Sequence, residues 1–150
     1  MGYYIKEYPE YQSELIVPIF VSGRYNRDMM TTCKAVIDTG SNCSLIEKEW
    51  ALDELHLAER MIRDSFYQPQ KEKVRTEEAQ KWDVKVVDLF ASVGDPPTRI
   101  EGSIEAILVE EVDNRSRGIK IILGMDFLNN MNISYVVGRQ GAIFAILQPL

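Results

Sequence analysis

Apolar residues recur at every second position over much of the chain, the period of a strand with one face in a core. In Leu15-Ile16-Val17-Pro18-Ile19-Phe20-Val21, the side chains of Leu15, Val17, Ile19 and Val21 share one face. Pro18 has no N–H to give to a ladder, which assigns this strand to a sheet edge or a bulge. A turn over residues 22–28 leads to a second strand, 33–37, that runs into Asp38-Thr39-Gly40, and Ser44-Leu45-Ile46 is short and apolar again. Residues 47 to about 63 form the one extended helical stretch, with Trp50, Leu55, Ala58 and Met61/Ile62 at three- and four-residue spacing and a weak point near Leu57. Residues 73–90 read as a hairpin in which Trp82, Val84 and Val86 alternate with Asp83 and Lys85. The apolar phase shifts at Val87 and Leu89, as a bulge would cause.

Further strands are expected at 104–109 and at 119–123, the latter stopped by Gly124. Residues 126–130 make a short helix, and 133–147 a closing hairpin turned at Gly138-Arg139-Gln140-Gly141. Many short strands with one or two short helices imply a mainly β barrel or sandwich. Neither a repeat nor a linker divides the 150 residues, so 1–150 is read as one domain.

Charge narrows the function classes. Lys+Arg 17 against Asp+Glu 23 leaves a net charge of -6, which repels phosphate backbones. The one basic stretch, Lys71-Glu72-Lys73-Val74-Arg75, is interrupted by acid and followed by Glu77-Glu78, so it reads as a solvated loop or strand edge; nucleic acid is not an expected partner. No apolar run approaches the ~20 residues of a membrane span. The first residues lack the regions of a signal peptide, and Lys6 stands where a myristoylation pattern wants Ser or Thr. A cytoplasmic location is the simplest expectation, with no membrane partner.

Cys33 and Cys43 bracket Asp38 five residues away on either side. A disulfide across the turn and two buried thiols are both open, and a reducing compartment favours the thiols. The single histidine, His56, has no carboxylate–histidine pattern around it, so a structural or surface role fits it better than a metal site. Neither metal nor cofactor is expected.

Two signals carry chemistry. The apolar strand Ala35-Val36-Ile37 runs directly into Asp38-Thr39-Gly40-Ser41, and far downstream Ile121-Ile122-Leu123-Gly124 runs into Met125-Asp126-Phe127-Leu128. Together they resemble the retropepsin-like aspartic proteases, and the downstream variant is more similar to the retroelement and cellular branches than to the retroviral one. The resemblance spans roughly residues 14 to 147, but only these two motifs are specific. It implies a closed, single-lobe β-barrel that works as a two-fold homodimer and cuts peptide or protein substrates. Asp38, Thr39 and Gly40 take the catalytic positions, while Ser41, Ala79 and Trp82 lie against the substrate.

The chemistry explains these residue types. Two carboxylates share one proton and hold a water between them: the ionised one takes a proton from the water while the protonated one donates to the scissile carbonyl. Like charges ~3 Å apart cannot both ionise, so the pair retains its proton. The chain holds one such motif, and the second carboxylate must come from Asp38 of another copy. The resemblance implies that Thr39 bonds across to the partner loop and that Ser41 hydrogen-bonds the outer oxygen of Asp38. Gly40 lets the backbone turn tightly and approach its partner without a Cβ. The alternative is an ordinary turn, in which Asp caps and Gly supplies a positive φ. Asp126 reads as a helix-start residue with a structural role.

Ile143-Phe144-Ala145-Ile146-Leu147, apolar on both faces, is either an edge that pairs with the partner's strand or an ordinary core strand. One departure from the family stands out. The segment matching the flap, residues 74–82, has no glycine, and Trp82 at its end either covers the cleft or packs in the core. The alternative to an endopeptidase is therefore a weak or inactive dimer of the same fold that binds peptides or proteins without turnover.

Overall fold

The computed structural model describes residues 2–10, 14–67, 82–113, 117–129, 131–138 and 141–148. The alternating face of Leu15–Gly23 sets the architecture: Val17, Ile19 and Val21 are fully buried while Pro18 between them is exposed. The strands are β1 (Gly2–Tyr8), β2 (Leu15–Gly23), β3 (Thr31–Ile37), β4 (Ser44–Glu47), β5 (Arg63–Tyr67), β6 (Trp82–Val93), β7 (Ile100–Val109), β8 (Ile119–Leu123), β9 (Asn132–Gly138) and β10 (Gly141–Gln148). Two short helices, α1 (Lys48–Glu54) and α2 (Met125–Leu128), follow β4 and β8, and a single 3-10 turn covers Glu59–Met61.

The main sheet runs β2-β3-β8-β4-β7-β6-β5. β2 also pairs with β6, Phe20–Gly23 against Leu89–Ser92, and this closes six strands into a barrel with β5 left outside. The mainly β fold expected from the alternation is thus present, and of the two forms it left open, barrel or sandwich, the chain takes the barrel. Over its first residues β2 has only β3 beside it, so Pro18 sits where a missing N–H disappoints no neighbour. The core gathers Val17, Ile19, Ile46, Leu89, Ile121 and Leu123, each at most 1% exposed. Burying a side chain of this size contributes about 1.5–3 kcal/mol.

Three expectations need correction. The helix ends at Glu54, well short of 63, because His56 takes a positive φ of 51°. Leu55 and Leu57, buried on either side of it, hold that reversal in place. The stretch 63–67 is instead β5, antiparallel to β6 from Arg63↔Val86 to Tyr67↔Trp82, so the hairpin is longer than expected. Its expected residues 73–81, and the basic stretch 71–75, lie outside the described residues. Finally, β6 keeps an unbroken register with β5 and β7. Its apolar phase shifts because both faces are buried already at Val86 and Val87 and again from Leu89 onwards, and the ladder irregularity lies between Lys34 and Ala35 of β3.

A separate sheet, β1-β10-β9, joins the two ends of the chain. β1 buries Tyr8, whose hydroxyl donates to Ile16 O at 3.0 Å. β10 is the central strand, with β1 on one edge and β9 on the other, so it offers no free edge to a partner's strand. One face of it is core, with Phe144 and Ile146 buried; on the other, Ile143 is 47% exposed. No helix among the described residues is long and apolar enough to cross a membrane.

Candidate active site

β8 lies between β3 and β4, parallel to the first and antiparallel to the second. The connection from β3 to β4, residues 38–43, must therefore pass over the end of β8, and two backbone hydrogen bonds fasten it there while a third closes the loop on itself. Asp38 N donates to Leu123 O at 2.9 Å, Met125 N donates to Ser41 O at 2.7 Å, and Ser41 N closes the turn on Asp38 O at 3.3 Å. The carboxylate is thus held by a strand end that the barrel fixes on both sides. Asp38 is half-buried, whereas Thr39 and Gly40 stand exposed at the apex.

Within the loop, Gly40 N donates to Asp38 Oδ1 at 2.9 Å. A Cβ on Gly40 would sit 3.2 Å from that same oxygen, tighter than ordinary van der Waals contact. Positive φ among the described glycines occurs at Gly94, Gly118 and Gly141, not here. Gly40 therefore lies close against the carboxylate without a positive φ, and the Asp38 side chain caps this turn as the ordinary-turn alternative has it. The hydroxyl of Ser41 donates to Cys43 O at 2.7 Å, not to the outer oxygen of Asp38 as expected. Ser41 consequently shapes the loop from within.

Underneath the loop lies a polar junction that the sequence did not announce. Ser44 is fully buried; its hydroxyl donates to Asp126 Oδ1 at 2.6 Å and accepts from Gly124 N at 3.1 Å. Asp126 also takes the N–H of Ser44 at 3.3 Å and that of Phe127 at 2.9 Å, so it ties α2 to the start of β4 while opening the helix. A Cβ at Gly124 would stand 2.3 Å from Cys43 O and 2.7 Å from Ser41 O. The one available signal for this junction was Ser44 itself, a polar residue at the inward phase of an otherwise apolar strand.

The cysteines are free, so the disulfide alternative falls away. Burial pushes the Cys33 thiol up to about 12 even though the Lys120 cation pulls the other way. Burial also raises Cys43, against a hydrogen bond from Ser41 that lowers it.

Trp82 sits at the last described pair of the β5–β6 stem, 50% exposed, its ring stacked on Tyr67 at 6.0 Å and 16°. Among the described residues no hydrogen bond or ring contact joins Trp82 to the 38–41 loop, and Ala79 lies outside them. The described residues hold no group of three or more His, Cys, Asp or Glu arranged for a metal ion. His56 is exposed and marks the end of α1. No family model matches the chain, and neither does any curated protein or solved structure.

Proposed function

We propose that the chain is one subunit of a homodimeric, retropepsin-like aspartic endopeptidase. The observation that carries this reading is the placement of Asp38: a half-buried carboxylate on a loop fastened to the end of β8, with Thr39 and Gly40 exposed beside it. Such a loop presents the group and leaves its apex free to meet a second copy. Two Asp38 residues facing each other across a two-fold axis share one proton. The ionised carboxylate removes a proton from the bound water as its oxygen attacks the peptide carbonyl. The protonated one gives its proton to the carbonyl oxygen, forming a neutral tetrahedral diol. In the collapse of the diol, one hydroxyl gives its proton to the ionised carboxylate while the protonated one gives its proton to the amide nitrogen; the C–N bond breaks to leave the acid and the amine, and the pair again holds one proton.

The second reading, a dimer that binds peptides without cutting, draws on the glycine-free stretch 74–82. One assay separates the two. Cleavage of a mixed peptide library is measured from about pH 3 to 7 with Asp38→Asn alongside. The expected result is cutting by the unaltered protein that rises more steeply than its concentration and falls at least about a thousandfold in the variant. Peptide binding by a stable dimer with no cleavage anywhere in that range sinks the peptidase and leaves the binding module.

A further inference from the structure

Away from the Asp38 loop, the turn after β2, the segment leading into β5 and the middle of β6 enclose a cavity of about 250 Å³. Its floor is apolar. Leu57 and Val87 are buried there, and a Cβ on Gly23 would approach Leu57 Cδ2 to 3.0 Å, so the missing side chain lets Leu57 close the base. Met61 and Tyr25 form the lip, large apolar groups that are 37% and 83% exposed.

The charge around this apolar floor runs against the rest of the molecule. The net charge is -6, yet the lining holds Arg24, Arg60 and Arg63 against Asp88 as its single acid. Arg63 is already neutralised by Asp88 at 2.8 Å and Glu105 at 2.7 Å. Arg24 faces the Tyr25 ring at 5.8 Å, and neither it nor Arg60 has an ion pair among the described residues. An apolar floor beside two guanidinium groups that no acid among the described residues pairs with suits a ligand with an apolar body and one anionic end.

We infer that this cavity binds a small aromatic carboxylate, its ring over Leu57 and Val87 and its carboxylate toward Arg24 and Arg60. Size agrees with that class: an apolar cavity of about 150 Å³ accepts one benzene ring, so the remaining space suits a short arm carrying the acid. A guanidinium meets a carboxylate with paired N–H donors, and the apolar floor holds the ring beside them. The inference stands apart from the peptidase reading, because the cavity shares no residue with the 38–41 loop.

Titration of isotope-labelled protein with phenylpropionate, and separately with the uncharged phenylpropanol, tests it by NMR. The carboxylate is expected to move the amide resonances of Gly23, Leu57 and Val87 and to bind at least about tenfold tighter than the alcohol. Added salt narrows that gap in the unaltered protein. In the double variant Arg24→Gln/Arg60→Gln, whose altered side chains are both exposed, the carboxylate drops to the affinity of the alcohol. Equal affinity for the two ligands, resonance changes confined to other residues, or a preference that survives the double variant overturns the assignment. So does an acidic peptide that fills the cavity while phenylpropionate does not.

Discussion

Gly124 carries no side chain because the loop above it leaves no room for one. The intruding atoms would be the carbonyls of Cys43 and Ser41, which are backbone and cannot swing away. Gly124→Ala is therefore expected to lift the 38–43 connection off β8 and to destabilise the fold by about 3 kcal/mol or more, read as a lower midpoint in urea. Retention of the original midpoint would mean that the loop is not packed as described. Cys33 offers a second check on the same strand end. An unfolded thiol ionises near 9.0, while the folded one keeps its proton to about 12. Above pH 9.0 the unfolded state loses its proton first, so stability is full below that value and falls as pH rises through the interval. Alkylation at about pH 8 should label Cys33 roughly a thousandfold more slowly in the folded protein than after denaturation, because the thiolate is the reactive form. Equal labelling rates in the two states would show that the thiol is not enclosed.

Elements that were legible in the sequence share a physical trait: each buries one face or ends at a marked residue. β2 from Val17 to Val21 and β3 throughout show the alternation of a barrel wall, and β8 ends at Gly124. The hairpin of β9 and β10 is marked by Gly138 and Gly141, the latter at a positive φ of 141°. Elements that were missed have weaker local signals. β5 has no buried residue, so Arg63-Asp64-Ser65-Phe66-Tyr67 carries no alternation to read, and cross-strand charge supports it instead, through Lys85 on Asp64 and Arg63 on Asp88. β1 places Lys6 on its inner face, over the Tyr8 ring at 5.6 Å, where the stem packs while the ammonium stays paired with an aromatic face. The end of α1 depends on a left-handed histidine, a choice that composition does not announce. The same distinction divides the candidate site. Asp38 through Ser41 are a local motif, readable as one. The junction of Ser44, Gly124 and Asp126 is made by residues about eighty positions apart that only the insertion of β8 between β3 and β4 brings together.

For the molecule as a whole, the single carboxylate per chain makes assembly the question on which the proposed chemistry depends. The sheet of the two chain ends supplies a surface for it. Its register puts Tyr3, Ile5 and Glu7 of β1 on the same face as Leu147, Ala145 and Ile143 of β10. Tyr3 and Ile5 are 45% and 59% exposed, and with Ile143 they form an apolar patch on this face, bordered by the exposed Glu7 opposite Ile143. Since β10 has no free edge, the homodimer proposed above, if built on this sheet, would use this face, where Tyr3, Ile5 and Ile143 offer apolar area to bury. The double variant Ile5→Lys/Ile143→Lys tests it. Both side chains are exposed in the single chain, so its melting should change little, whereas placing charges in a desolvated contact costs several kcal/mol. The dimer should weaken about a hundredfold or more in sedimentation equilibrium, and any peptide cleavage should fall with it and return as protein concentration is raised. A variant that stays dimeric at the original strength would move the contact off this face, and a wild-type protein that is monomeric at every concentration would remove the second Asp38 on which the hydrolysis depends.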